Sequence, residues 1–210
     1  MNETSFPEWI AAIANIVTAV AVACGVYVAR RQLDIWRQEA RQKRQAEVAE
    51  DALVAVAEVD EALRQFRMDV NSVDIDDRLQ PDGMYLRQRK LIDGHKNTFL
   101  SLRKAQISAE STLTLEVAKK ISSDMQELLN IRFEISEANQ GMLELPEEHV
   151  LNDRERESLY RMRGVLGEIL FQNSEASPDG IDTRRESAVQ RIRELLGPIA
   201  RYETTLGVPK

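Results

Sequence analysis

The sequence predicts an all-α protein: one N-terminal transmembrane helix followed by a cytoplasmic bundle of about five helices with coiled-coil-like spacing. Three observations carry this expectation. The chain holds 28 Lys and Arg and 35 Asp and Glu, yet residues 9–29 contain none of them. From Ala49 onward, apolar residues recur at steps of three and four, the period of a packed helix face. No run alternates in the manner of a half-buried strand, and no internal repeat is evident. The charged body excludes a polytopic membrane protein. The single cysteine, Cys24, excludes an internal disulfide framework and a Cys-based zinc site. A net charge of -7 makes no case for nucleic acid as a general partner.

The organisation read from these patterns has four parts. Residues 1–8 form a short extracytoplasmic tail and residues 9–29 the transmembrane helix. Residues 30–47 form a basic juxtamembrane stem, and residues 48–210 the helical cytoplasmic domain. The run from Trp9 to Ala29, WIAAIANIVTAVAVACGVYVA, extends ~31 Å as a helix, about the thickness of a bilayer core. Trp9 opens it and Tyr27 nearly closes it, at levels that suit amphipathic rings. Arg30, Arg31, Arg37, Arg41, Lys43 and Arg44 follow, against Asp34 and Glu39, while Glu3 and Glu8 are the only charged residues before the span. The positive-inside rule then puts the N-terminus outside and the body in the cytoplasm. Trp9 and Trp36, with those six cations, are the expected membrane-surface contacts. The Arg-rich, Lys-poor composition points to a bacterium and its inner membrane.

Other readings of the run are less consistent with its flanks. A cleaved secretory signal needs a basic start, and this one is acidic. Ala21-Val22-Ala23-Cys24 with Gly25 resembles a lipobox without its usual leucine. A buried core helix would not be expected to end in a basic cluster.

Within the span, one seam at 3.5-residue spacing is small or polar: Ala11, Asn15, Thr18, Val22, Gly25 and Ala29. Small residues allow close helix approach in lipid, and Asn and Thr can hydrogen-bond across the contact. Asn15 is costly facing lipid and tolerable facing a partner. The seam is therefore an expected association surface, with a homo-oligomer as the consequence. A polar-lined pore is the bolder version of the same reading.

The body elements follow in order. Residues 37–47 are polar nearly all round, which suits a solvated helix or a joint. A first body helix carries Ala49, Ala52, Val56, Val59, Leu63, Phe66 and Val70, widened by Leu53 and Ala57. Asn71–Gly83 ends it with turn residues. Its Asp74, Asp76, Asp77 and Asp82 fail the calcium-loop pattern because Arg78 stands where a ligand belongs. A second helix, over 85–109, carries Leu86, Ile92, Phe99, Leu102, Ala105 and Ala109, with Asp93-Gly94 as an interruption. A third spans 112–143 with Val117, Ile121, Met125, Leu128, Ile131, Ile135, Ala138 and Met142. A fourth begins at Asn152, with Glu155 as a capping-box partner, and carries Leu159, Met162, Leu166 and Ile169. Thr183 with Glu186 is a second capping box opening a fifth helix, which Gly197-Pro198 should kink or end.

Candidate chemistry is sparse. His95 lies beside the apolar stripe of the second helix, and His149 lies in a loop after Glu147 and Glu148. Neither has a partner at metal-ligand spacing. Ser101-Leu102-Arg103-Lys104 matches S-x-x-K without its companion motifs. Arginines 154, 156, 161 and 163, with 184, 185, 191 and 193, could hold an anion. They alternate with glutamates, so a solvated ion-paired surface is the expectation. No catalytic residue, metal or cofactor is expected. The sequence reads as an anchored, homo-oligomeric interaction or signalling module with the bilayer and a protein as partners. A pore-forming effector is the alternative, and an enzyme with an unrecognised site the second alternative.

Overall fold

The computed structural model describes residues 8–67, 81–146, 152–170 and 180–201. Among these residues every regular element is an α-helix, as expected. The helices are α1 (Glu8–Phe66), α2 (Pro81–Gly94), α3 (Lys96–Thr112), α4 (Leu115–Glu144), α5 (Asp153–Leu170) and α6 (Ile181–Ala200). The chain divides into two compact units, residues 1–44 and 45–210, and α1 contributes to both.

The described part of the first unit is the opening stretch of α1. Residues 13–41 are exposed throughout. The polar segment 37–47 is helical along its whole length, which suits its content of Arg, Gln, Glu and Ala, all good helix formers.

In the second unit, α4 packs against α2, α3, α5 and α6. Its sequence explains this position. Ile121, Met125, Leu128, Ile131 and Ile135 are fully buried at three- and four-residue steps. Each such side chain contributes ~1.5–3 kcal/mol when taken out of water. The second part of α1 joins the same core through Ala49, Ala52, Val56, Val59, Leu63 and Phe66, the expected seam. Val70 lies outside the described residues. The flank of that seam holds at Leu53, which is partly buried and packs against the core, and is corrected at Ala57, which is exposed, while Ala55 and Ala62 on the opposite side are covered.

The expected interruption of the second helix is present. α2 stops at Gly94, His95 is a turn, and the His95 carbonyl accepts from Thr98 N at 3.0 Å as α3 begins. The core face of α2 keeps the expected Ile92, but Leu86 is 49% exposed, and Tyr85 and Gln88 are buried in its place. Leu113 and Thr114 separate α3 from α4, so the third helix starts at Leu115 rather than 112. At the start of α5 the capping box forms in both directions. Asn152 N donates to Glu155 Oε2 at 2.9 Å, and Glu155 N donates to Asn152 Oδ1 at 3.0 Å. Met162, expected in the core, is exposed, while Leu159 is buried. Leu166 of α5 comes within 3.1 Å of where a Cβ on Gly141 would stand, so the glycine permits the close approach of α5 to α4.

One expectation for the last helix fails. α6 starts at Ile181 with Gly180 as its N-cap, so Thr183 is already inside the helix and its capping box with Glu186 cannot form. Arg184 N donates instead to Gly180 O at 3.0 Å. Pro198 stands in the final turn and the helix ends at Ala200, close to the expected stop, so the missing donor costs one bond only.

A buried amide pair ties the ends of α1, α2 and α4 together. Gln88 Nε2 donates to the Phe66 carbonyl at 2.6 Å, satisfying an acceptor at the terminus of α1. Asn139 Nδ2 donates to Tyr85 O at 3.1 Å and to Gln88 Oε1. Asn139→Leu would leave the buried Gln88 Oε1 without its donor, a loss worth about 1–3 kcal/mol. That loss is expected in chemical unfolding of the detergent-solubilised chain, and an unchanged midpoint would refute the role given to this pair.

Candidate functional site

The residues singled out in the sequence lie on the exposed stretch of α1. Asn15, Thr18, Val22, Gly25 and Ala29 are all exposed, at spacings that share one helix face. Trp9 and Ala11 lie on α1, but their side chains fall outside the described residues. Thr18 Oγ1 donates back to Ala14 O at 2.8 Å, so its hydroxyl is satisfied within the helix. Asn15 makes no side-chain hydrogen bond among the described residues. Nothing stands within 4 Å of a Cβ built on Gly25. Arg30, Arg31, Trp36, Arg37, Arg41, Lys43 and Arg44 are all exposed.

The second unit contains a polar constellation that sequence reasoning missed. It forms where the end of α1 meets the end of α5 and the start of α6. Arg67 is 7% exposed. Its Nη2 donates to Glu168 O at 3.0 Å and its Nε to Ile169 O at 3.2 Å. These are carbonyls of the last turn of α5, which lack intrahelical donors and carry the negative end of the helix dipole. The third nitrogen, Nη1, donates to Asp182 in the first turn of α6, where a carboxylate is favoured. One guanidinium therefore joins the end of one helix to the beginning of the next. Burial lowers the Arg67 pKa, opposed by Asp182 and reinforced by Arg185.

One turn into α6, Arg185 is 4% exposed and donates from Nη1 to Asp60 Oδ1 at 2.9 Å. Asp60, itself 5% exposed, accepts from Arg64 Nη2 through its other oxygen at 3.0 Å. Arg185 Nη2 donates to Glu186, and Arg185 Nε faces Asp182 Oδ1 at 3.7 Å. The result is an alternating series, Arg64–Asp60–Arg185–Asp182–Arg67, built from two helices, α1 and α6, and the residue after α1. Outside it, Arg184 reaches across to α4. It donates to both oxygens of Glu134 at 2.8 and 2.7 Å, and to Glu127 at 2.7 Å. Those bonds, Glu134 first, raise the Arg184 pKa above its ordinary value. Arg191 donates twice to Asp124 Oδ1, and that contact raises its pKa in turn.

The expectation of a solvated ion-paired surface holds for Arg191, which is exposed, and is corrected for Arg185, which is buried, and in part for Arg184, which is half-buried. Their carboxylate partners sit mainly on α1 and α4 rather than on alternating positions of their own helix. The physical reason is that α6 approaches α4 closely enough for long side chains to span the gap. Sequence spacing carries no trace of such a contact, although the buried Asp60 and Asp124 interrupt apolar stripes and could have flagged it.

The chemistry this arrangement supports is mechanical. Arginine keeps its proton throughout the physiological range, so the series cannot act as an acid or base near neutrality. The open groove beside it, about 440 Å³, is lined by Asp60, Arg64, Glu186, Ser187, Gln190 and Arg193, and its innermost charges are already paired. His95 is half-buried and sets its ring edge-on to Phe66 at 5.5 Å. His149 and the acidic cluster Asp74, Asp76 and Asp77 lie outside the described residues. No group of three or more His, Cys, Asp or Glu among the described residues could hold a metal ion.

No family model, no curated protein and no solved structure matches this chain.

Removing one partner of a buried ion pair strands the other, at about 3–5 kcal/mol. Arg185→Met should therefore lower stability by about that amount, read by thermal or urea unfolding. Adding Asp60→Leu should restore most of the loss, because an apolar pair of similar volume avoids the stranded charge. A double variant no more stable than Arg185→Met would refute this account.

Proposed function

We propose that this chain is a single-pass membrane protein whose helical body acts in the cytoplasm as an interaction or signalling module, as a homo-oligomer. The carrying observation is the contrast along α1. Within it lies a stretch long and apolar enough to cross a bilayer, with none of its side chains buried in the chain. Ile16 and Val17 are 64% and 61% exposed, whereas Val56 and Val59, farther along the same helix, are 1% and 0% exposed. An apolar stretch left in water forgoes about 25 cal/mol per Å². A bilayer covers it without asking anything of the fold. The exposed cations of residues 30–44 support an N-out orientation, since they would lie at an anionic cytoplasmic surface.

The finer architecture belongs to the same reading. The second part of α1 and the helices after it form a cytoplasmic bundle around α4, with coiled-coil-like spacing in its apolar faces. Multimerisation rests on Asn15. Its amide is unpartnered inside the span, and a second span is the available partner in lipid. Thr18 is satisfied internally, so a pore lining would draw its polarity chiefly from Asn15. That favours close association of spans over conduction. The body then presents its surface to a protein partner in several copies at once.

Alkaline extraction and a C-terminal reporter test the anchor. The full chain should stay in the membrane fraction, and a reporter fused at Lys210 should behave as cytoplasmic. Release by carbonate, or periplasmic reporter activity, would overturn the reading. Asn15→Leu should weaken span association several-fold in a transmembrane-association assay, in line with about 1 kcal/mol for such a contact. Unchanged association would remove Asn15 from the account.

A further inference from the structure

The stem that follows the apolar stretch, residues 30–44, is helical throughout, and only Gln42 in it is even partly buried. Burial within the chain begins at Ala46. Three apolar residues nevertheless share one face of this stem. Leu33 is 46% exposed, Trp36 is 72% exposed, and Ala40 is exposed. Their steps of three and four are coiled-coil spacing. Trp36 also continues the row Asn15, Val22, Ala29 at seven-residue steps. Helices in water draw most of their stability from packing of such a face, and nothing in the described chain packs on this one.

The charges flanking that face have a definite arrangement. With Leu33 and Ala40 at heptad position a and Trp36 at d, Arg30, Arg37 and Arg44 fall at e, and Gln32 and Glu39 fall at g. In two parallel strands each g residue faces the e residue five places on in the other strand. That sets Gln32 against Arg37 and Glu39 against Arg44. Two antiparallel strands would instead bring the e arginines together. Glu39 makes no ion pair among the described residues. Lys43, at the next d position, closes the seam just before burial within the chain takes over.

We propose that the stem is a contact between two copies of this chain, a short parallel coiled coil. Leu33, Trp36 and Ala40 form its seam, and Glu39 pairs with Arg44 of the other copy. A two-fold axis along the stem makes each pairing twice, since an isologous contact repeats each interaction. Two chains entering one membrane in the same sense are necessarily parallel, and the charge pattern selects that orientation independently. The small Ala29 and Ala40 on either side of Trp36 leave room for two indoles. Arg31 and Arg41 remain on the outer face. An anionic bilayer surface is a poorer occupant. It would suit Trp36 and the arginines but would set Glu39, on the same face, against like charge. Association in the span then continues into water along the same helix rather than ending at the membrane surface.

The inference rests on the homo-oligomeric reading, and the test separates the two. Full-length chain carrying Cys24→Ser is reconstituted in vesicles with one new cysteine at a time. Leu33→Cys and Ala40→Cys lie in the seam, and Asp34→Cys and Gln38→Cys lie outside it. Under mild oxidation the seam positions should form disulfide-linked dimers at least tenfold faster than the outer two. In the Ala40→Cys chain, Glu39→Arg should slow cross-linking several-fold. Adding Arg44→Glu should restore it, since the reversed pair matches again. If the chain is oligomeric by light scattering but all four positions cross-link alike, the stem contact is wrong while the homo-oligomeric reading stands. If the chain is monomeric, both fail. Cross-linking that ignores the charge reversals overturns the proposal. Trp9→Phe leaves Trp36 as the sole tryptophan. Strong quenching of its fluorescence by lipids with nitroxide headgroups would assign this face to the bilayer and overturn the proposal as well.

Discussion

An apolar helical surface with no cover inside its own chain must be covered by something else, and in this protein that requirement shapes the rest. Residues 13–41 of α1 bury nothing against the remainder of the molecule, although they include isoleucines and valines that would otherwise stabilise a core. The helix changes character within one turn: Lys43 and Arg44 are exposed, and Ala46, Val48 and Ala49 are buried. One covalent helix thus has an exposed apolar stretch, which the proposed reading places in lipid, and a stretch buried in the protein interior. Its composition switches between them through a basic stretch suited to neither interior. The charged surface of the second unit is the counterpart, keeping that unit in water.

The second unit uses apolar packing for stability and ion pairs for register. α4 supplies the continuous buried stripe, but a stripe of Ile, Leu and Met tolerates sliding and rotation. Arg67, Asp60, Arg185 and Arg184 do not. Arg67 reaches two carbonyls at the end of α5 and a carboxylate at the start of α6, and that is satisfied only where these helix ends lie beside the residue after α1. Arg185 and Asp60 then fix α6 against α1. Buried pairs of this kind add little net stability over apolar replacements, yet penalise every arrangement that separates them. Their contribution here is to select one packing among several that the apolar residues would allow.

Much of this was legible in the sequence, and what was not has physical reasons. The apolar seams of α1 and α4 were readable because a 3.6-residue period leaves few alternatives once strand alternation is absent. The α5 capping box was readable because Asn152 and Glu155 satisfy each other locally. The α6 capping box was misread because Thr183 and Glu186 have the right spacing but Gly180 had already begun the helix. Leu86 and Met162 were assigned to the core on hydrophobicity alone, whereas the facing helix decides which side of a short amphipathic helix is covered. The ion-pair series was invisible for a related reason. Asp60 and Arg185 lie far apart in sequence, and each looks like an ordinary surface charge until the helices meet.

If a bilayer covers the early part of α1, as proposed, the chain carries its own probe of that cover. Cys24 is the only cysteine, and within the chain it is exposed. In intact vesicles a charged, membrane-impermeant maleimide applied to either side should leave Cys24 unmodified. The same reagent should label it once the protein is denatured in detergent. Labelling of Cys24 in the intact vesicles, at a rate near that of a free thiol in water, would contradict the membrane-anchored account.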